Sequence, residues 1–195
     1  MTDIPSNSQP AEVEQNQPIL VAIDFSDDSR AAVLWACEFS TCVGARLILL
    51  HVIHDPAASP GFYHSETPGE MQPMEDVAEA MMNDFLADMR TKHPDLELLQ
   101  SADSRLIQGL PPGRIVELAG LLKARLIVIG SRGMTGLDHM LLGSVAERVV
   151  ELAPGPVVVV KSENSTRKKK KKDKKQKKDK KRLKDKLAKH SDANG

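Results

Sequence analysis

Cysteine is scarce: Cys37 and Cys42 are the only two in 195 residues. That rules out a disulfide-stapled scaffold and a zinc site made of two cysteine pairs. Five positions apart on one helix, the two thiols would point about 140° away from each other, so they do not bridge there. The expectation is a reducing, cytoplasmic setting. Long apolar runs are missing as well, and none approaches the roughly 20 residues that a membrane-spanning helix needs. Met1 to Gln17 is polar and acidic, without the basic start and apolar stretch of a secretory leader, and reads as a disordered segment. Neither a nucleophile elbow nor a zinc-protease helix motif is present.

Net charge is also lacking, but only in the sum. Lys+Arg and Asp+Glu both number 27. Residues 1–166 hold 11 basic against 23 acidic side chains, and residues 167–195 hold 16 against 4. An acidic body of net −12 therefore carries a basic tail of net +12. The body has room for one core, since single domains commonly close within about 100 to 200 residues. Its expected limits are residues 18–162, followed by a lysine-rich, low-complexity tail over 163–195.

Within the body, short apolar runs alternate with helical stripes. Ile19 to Ile23 is a branched run that ends at Asp24, the pattern of a buried strand opening into a polar loop. Ser26 suits a helix N-cap, Ala32, Trp35, Ala36, Phe39 and Val43 repeat on one helical face, and Gly44 can end the helix. Leu47 to Ile53 reads as a second strand, buried on both faces. His54 to Pro73, rich in Pro, Gly, Ser and His, reads as a long irregular excursion beside a site. Ala78, Met81, Met82, Phe85 and Met89 form the next helical stripe, and a weaker strand signal falls within Leu96 to Gln108. Pro111-Pro112 suits a helix start, with Ile115, Leu118, Ala119 and Leu122 facing inward. Arg125 to Ile129 gives a fourth strand, Val145, Val149 and Leu152 a last helix, and Pro156 to Val160 a last strand.

The order βαβαβαβαβ predicts an α/β fold. It is a single Rossmann-like, doubly wound domain with a five-stranded, mainly parallel sheet and helices on both faces. In such folds ligands sit at the carboxyl edge of the sheet where the winding reverses, so the loops after Ile23, Ile53 and Ile129 should meet there.

The loop after the fourth strand carries the chemistry. Gly130, Gly133, Gly143 and Ser144 make the pattern G-x2-G-x9-G-S. Phosphates need convergent backbone N–H donors, which glycine permits by lacking a Cβ, and they gain from the positive end of a helix. Ser144 can add its hydroxyl and Val145 a second amide. The plainer reading is that these glycines only end a strand and start a helix. Arg132 either swings over a phosphate or is solvated. Asp24 either serves a ligand or caps the turn that follows it. A P-loop would place lysine directly before the serine, whereas Gly143 stands there, which argues for binding rather than efficient phosphoryl transfer. His51 and His54, three apart along a strand, should diverge rather than share a metal.

These residues resemble the universal stress proteins (UspA-like) in their ATP-binding branch. The likeness covers about Ile19 to Lys161. It rests on Val21-Ala22-Ile23-Asp24-Phe25-Ser26, Leu49-Leu50-His51-Val52, Gly109-Leu110-Pro111 and the glycine loop, of which the loop is the most specific. The resemblance implies an adenine near the backbone of Val52 and the strand end at Ala22 and Ile23, with Asp24 near the ribose or a bound Mg or Mn. The phosphates would lie on Gly130, Gly133, Gly143, Ser144 and Val145, with Ile129 and Arg132 completing the set. It also implies a homodimer. A terminal strand over Val157 to Val160 would supply the unpaired edge for one, unless it lies inside the sheet.

The tail repeats in sixes, KKKKKD from Lys168, KKQKKD from Lys174 and KKRLKD from Lys180. Six residues advance a helix by about 600°, so the aspartates spread around it and no apolar face forms. Without aromatic residues to stack on bases, such a tail contacts RNA or DNA phosphates without reading sequence, or folds onto the acidic body. The functions left standing are a nucleotide-dependent regulator, a slow ATPase or nucleotidyl transferase using Asp24 and a divalent metal, and a polyanion binder acting through the tail.

Overall fold

The computed structural model describes residues 17–54, 73–133 and 142–163. The expected N-terminal disorder, most of the excursion after His54, the middle of the glycine loop and the tail repeats lie outside the described residues. The chain divides into two units, residues 1–161 and 162–195, and the fold below belongs to the first.

Five strands form the sheet: β1 (Ile19–Ile23), β2 (Leu47–Ile53), β3 (Asp103–Gln108), β4 (Leu126–Gly130) and β5 (Val157–Val160). Between them run α1 (Asp27–Val43), α2 (Met74–Lys92), the single turn α3 (Glu97–Gln100), α4 (Pro111–Leu121) and α5 (Ser144–Leu152). The strand order is β3-β2-β1-β4-β5, and every pairing is parallel. The expected α/β, Rossmann-like architecture is therefore present, with a wholly parallel sheet.

Strand residues alternate between two cores. Ile19, Val21, Ile23, Leu49 and Val128 pack with α1 and α2 on one face. Leu20, Ala22, Ile48, Leu50 and Ile129 pack with α4 and α5 on the other. Burial on both sides explains why β1 reads as an unbroken apolar run. Each fully buried side chain such as Ile19 or Leu20 contributes about 1.5–3 kcal/mol relative to exposure.

The ends of α1 follow the sequence. Ser26 Oγ accepts from Ser29 N at 3.1 Å, and Gly44 closes the helix in the left-handed region at φ 65°. Its inner face differs from the expected stripe. Ala32, Val33, Ala36, Cys37 and Ser40 are buried, whereas Trp35, Phe39 and Val43 are only half-buried. Small residues let the helix backbone come close to the sheet, and Trp35 and Phe39 stack on each other at the flank, 5.1 Å apart. Cys37 and Cys42 are both free thiols, and burial, with Glu38 beside it, pushes the Cys37 thiol up to about 11.

The weakest sequence signal becomes β3, preceded by the turn α3. Its outer position explains the weakness, since its residues are exposed or half-buried and carry no apolar run. β5 forms the opposite edge, with Val159 exposed. No helix among the described residues is long and apolar enough to cross a membrane.

Candidate functional site

The chain runs outward from β1 through β2 to β3, then returns to β4 and β5 on the other side. The reversal lies between β1 and β4, the position where parallel sheets open a crevice at their carboxyl ends. An open cleft occupies that place.

Three strand ends and two helix starts build its walls. β1 brings Ala22, Ile23 and Asp24, β2 brings Leu50, His51 and Val52, and β4 brings Ile129 and Gly130. The turn after β4 adds Ser131, Arg132 and Gly133, and the start of α5 adds Gly143, Ser144, Val145 and Ala146. Pro111 and Ile115 of α4 and His54 complete it. All eleven residues selected from the sequence thus border one space. Those not selected include Ser131, legible as the neighbour of Gly130, and Pro111 and Ile115, read only as helix start and core.

The N-terminus of α5 faces this cleft. Gly143 occupies the N-cap position and supplies no side chain to cap it, unlike Ser26 at α1. The first amides of α5 therefore present donors and the positive end of the helix dipole to the cleft wall. Asp24 Oδ1 accepts from Ser26 N at 3.1 Å. Asp24 thus caps the turn and borders the cleft at the same time.

The glycines of the loop have different reasons. A Cβ on Gly130 would lie 2.9 Å from Asp28 C and Ser29 N, so the first turn of α1 rests directly on this residue. One on Gly133 would meet Asp24 Oδ2 at 2.7 Å. At Gly143 the nearest atoms, Arg132 Cα and Ser131 O, would be 3.5 Å away, an ordinary contact. Gly130 is therefore required by packing, a role the sequence reading did not assign. Arg132 is not solvated: its side chain is 13% exposed, with Nε 3.7 Å from Asp28 Oδ2.

Phe25 follows Asp24 with φ 65°, a left-handed conformation that strains a non-glycine residue. Its ring is held against His51, centroids 4.4 Å apart, and edge-on to Phe85 at 5.6 Å. The His51 ring donates from Nδ1 to Ile23 O at 2.8 Å. His54 lies beyond the end of β2 and donates from Nδ1 to Val52 O at 3.2 Å. Both histidines border the cleft, His51 with its ring against Phe25 and His54 at the end of the strand beside Val52. Among the described residues no group of three or more His, Cys, Asp or Glu is arranged to hold a metal.

Burial lowers the His51 pKa below its ordinary 6.5, outweighing the Ile23 hydrogen bond and the nearby Asp24 charge. The unfolded chain then binds a proton that the folded chain refuses, so stability falls as pH drops through 6.5 toward the folded pKa. We expect the urea midpoint to decline between about pH 7.5 and about pH 5.5, and His51→Asn, which keeps a donor for Ile23 O, to flatten that decline. Equal slopes for the two proteins would show that His51 is not the group responsible.

Comparison with known proteins places this architecture. The model of the universal stress protein family matches residues 15–161. Universal stress protein MJ0577 of Methanocaldococcus jannaschii is 29% identical over 155 residues, covering 75% of this chain and 96% of the relative. Universal stress protein Rv2623 of Mycobacterium tuberculosis is 30% identical over 148 residues, covering 75% of this chain and 46% of the relative. The chain thus spans about half the length of that protein. The solved structure of MJ0577 superposes with a TM-score of 0.54 at 28% identity, over 75% of this chain and 96% of that one. A universal stress protein solved in complex with cAMP shares the fold, with a TM-score of 0.51 at 23% identity over 74% and 96% of the two chains. The glycine loop, the parallel sheet with its cleft between β1 and β4, and the match over most of the chain converge: this chain belongs to the universal stress protein family.

Proposed function

We propose that the chain binds an adenine nucleotide, ATP with Mg or Mn, in the cleft between β1 and β4, and acts as a cytoplasmic nucleotide-dependent regulator. The observation that carries this reading is the start of α5, which has no capping side chain from Gly143 and opens on the cleft. Val52, Pro111 and Ile115 border another part of the cleft with apolar surface suited to a planar base. Gly143 in place of a P-loop lysine favours occupancy over turnover. Titration calorimetry of the whole chain with ATP and Mg is the test, expected to give saturable binding with one nucleotide per chain. Absence of heat, with no nucleotide released from the purified protein on denaturation, would overturn it.

Asp24 at the cleft favours a second reading, slow metal-dependent hydrolysis of ATP or nucleotidyl transfer. Multiple turnovers that disappear in Asp24→Asn would support it. As the outer strand of the sheet, β5 is the edge through which we propose that two copies pair. The lysine-rich segment from residue 167 is proposed to bind RNA, DNA or another acidic partner by charge alone.

A further inference from the structure

The first turn of α1 grips the turn that leaves β4. Ser131 Oγ donates to Asp28 Oδ2 at 2.7 Å, and Ser26 Oγ donates to Arg132 O at 3.3 Å. Arg132 Nε stands 3.7 Å from the same Asp28 oxygen. Ser131 also donates its N–H to Val160 O at 2.7 Å and accepts from Gly143 N at 2.8 Å. The segment between β4 and Gly133 is therefore tied to α1, β5 and the start of α5 together.

Asp28 is the acidic member of this knot, and its side chain is only 3% exposed. A carboxylate so deeply buried requires compensation by hydrogen bonds and opposite charge. The Ser131 hydroxyl supplies the first and Arg132 the second. At 3.7 Å the Arg132 Nε contact is attractive but too long to be a hydrogen bond. Arg132 itself borders the cleft beside Gly143. Arg132 thus approaches a buried carboxylate and also borders the cleft in front of α5.

We propose that Asp28 is a positioning residue that restrains Arg132, and so sets how much each phosphate beyond the first adds to nucleotide affinity. The inference rests on the adenine-nucleotide reading of the cleft. The amides at the start of α5 suit one phosphate, whereas further phosphates bring charge that calls for a cation. While Asp28 shares the guanidinium, that gain is partial. Asn at position 28 keeps the size of the side chain and an oxygen to accept from Ser131, but removes the competing charge.

The test compares dissociation constants of AMP, ADP and ATP at fixed Mg for the wild type, Asp28→Asn, Arg132→Gln and the double variant. We expect the ATP-to-AMP affinity ratio to rise about fivefold in Asp28→Asn. It falls below the wild-type ratio in Arg132→Gln, and the double variant follows Arg132→Gln. A purely structural role for Asp28 would move AMP and ATP together, and that unchanged ratio would overturn the proposal while leaving nucleotide binding intact. Wild-type protein that binds none of the three would overturn both. If Asp28→Asn does not fold, Arg132→Gln decides alone, because a ratio equal to the wild type removes Arg132, and with it Asp28, from the recognition of outer phosphates.

Discussion

Gly143→Asp loses ATP affinity by about a hundredfold while the ligand-free protein melts at the same temperature or up to about 3 °C higher. The two halves of this result have one cause. Gly143 has φ −74° and ψ 152°, an extended conformation open to any residue and typical of an N-cap. A Cβ there meets Arg132 Cα and Ser131 O at 3.5 Å, so the fold accommodates it. The new carboxylate can accept from the amides of the first turn of α5, as Ser26 accepts from Ser29 N at α1. It also interacts favourably with the helix dipole, and such caps contribute about 0.5–1 kcal/mol. Those amides are the donors assigned to phosphate, and the variant fills them with an anion of its own. Calorimetry and thermal melting of the same preparations check both halves. ATP affinity equal to the wild type would place the phosphates elsewhere and remove the basis of the proposed function.

Gly130→Ala gives the opposite pattern, a destabilised protein even without ligand. The added methyl would lie 2.9 Å from both Asp28 C and Ser29 N. Both are backbone atoms of the first turn of α1, a turn tied to the β4 exit through Ser131 and Arg132. Relief requires α1 to lift from the sheet, and overpacking of this kind costs about 2–3 kcal/mol, or about 5–10 °C in melting temperature. Gly113→Ala is the control, because its Cβ would meet nothing within 4 Å and it sits inside α4. An alanine there, in the first turn of the helix, is neutral or stabilising by up to about 1 kcal/mol. If Gly130→Ala melts with the wild type, the close approach of α1 to β4 is not a constraint on this residue.

These two glycines belong to one motif, and the sequence treats them alike. Spacing marks G-x2-G-x9-G-S as a candidate phosphate loop, and the structure brings Gly130, Gly133, Gly143 and Ser144 to one cleft. Spacing cannot say which glycine faces a ligand and which faces a helix, since that depends on where α1 lands. Asp28 escaped notice for the same reason. Read along the chain it is one more acidic residue in a helix first turn, and its partner Ser131 is 103 positions away.

Local pattern was sufficient for most of the elements, though not for the turn α3 or the bounds of β3. The branched runs of β1, β2 and β4, the Ser26 cap, the Gly44 stop and the prolines at the start of α4 are visible in single stretches of sequence, because each depends on neighbouring residues alone. Alternation of strands and helices then implied a parallel sheet and a site at its carboxyl edge, through the handedness of the crossovers. What only the tertiary structure decided is how those pieces meet. It set the order β3-β2-β1-β4-β5, put small residues rather than Trp35 and Phe39 beneath α1, packed Gly130 under Asp28, and drew Arg132 to a buried carboxylate. These outcomes come from contacts between residues far apart in the chain. Their energies depend on close packing and on charge in a water-poor interior, which no one-dimensional periodicity encodes.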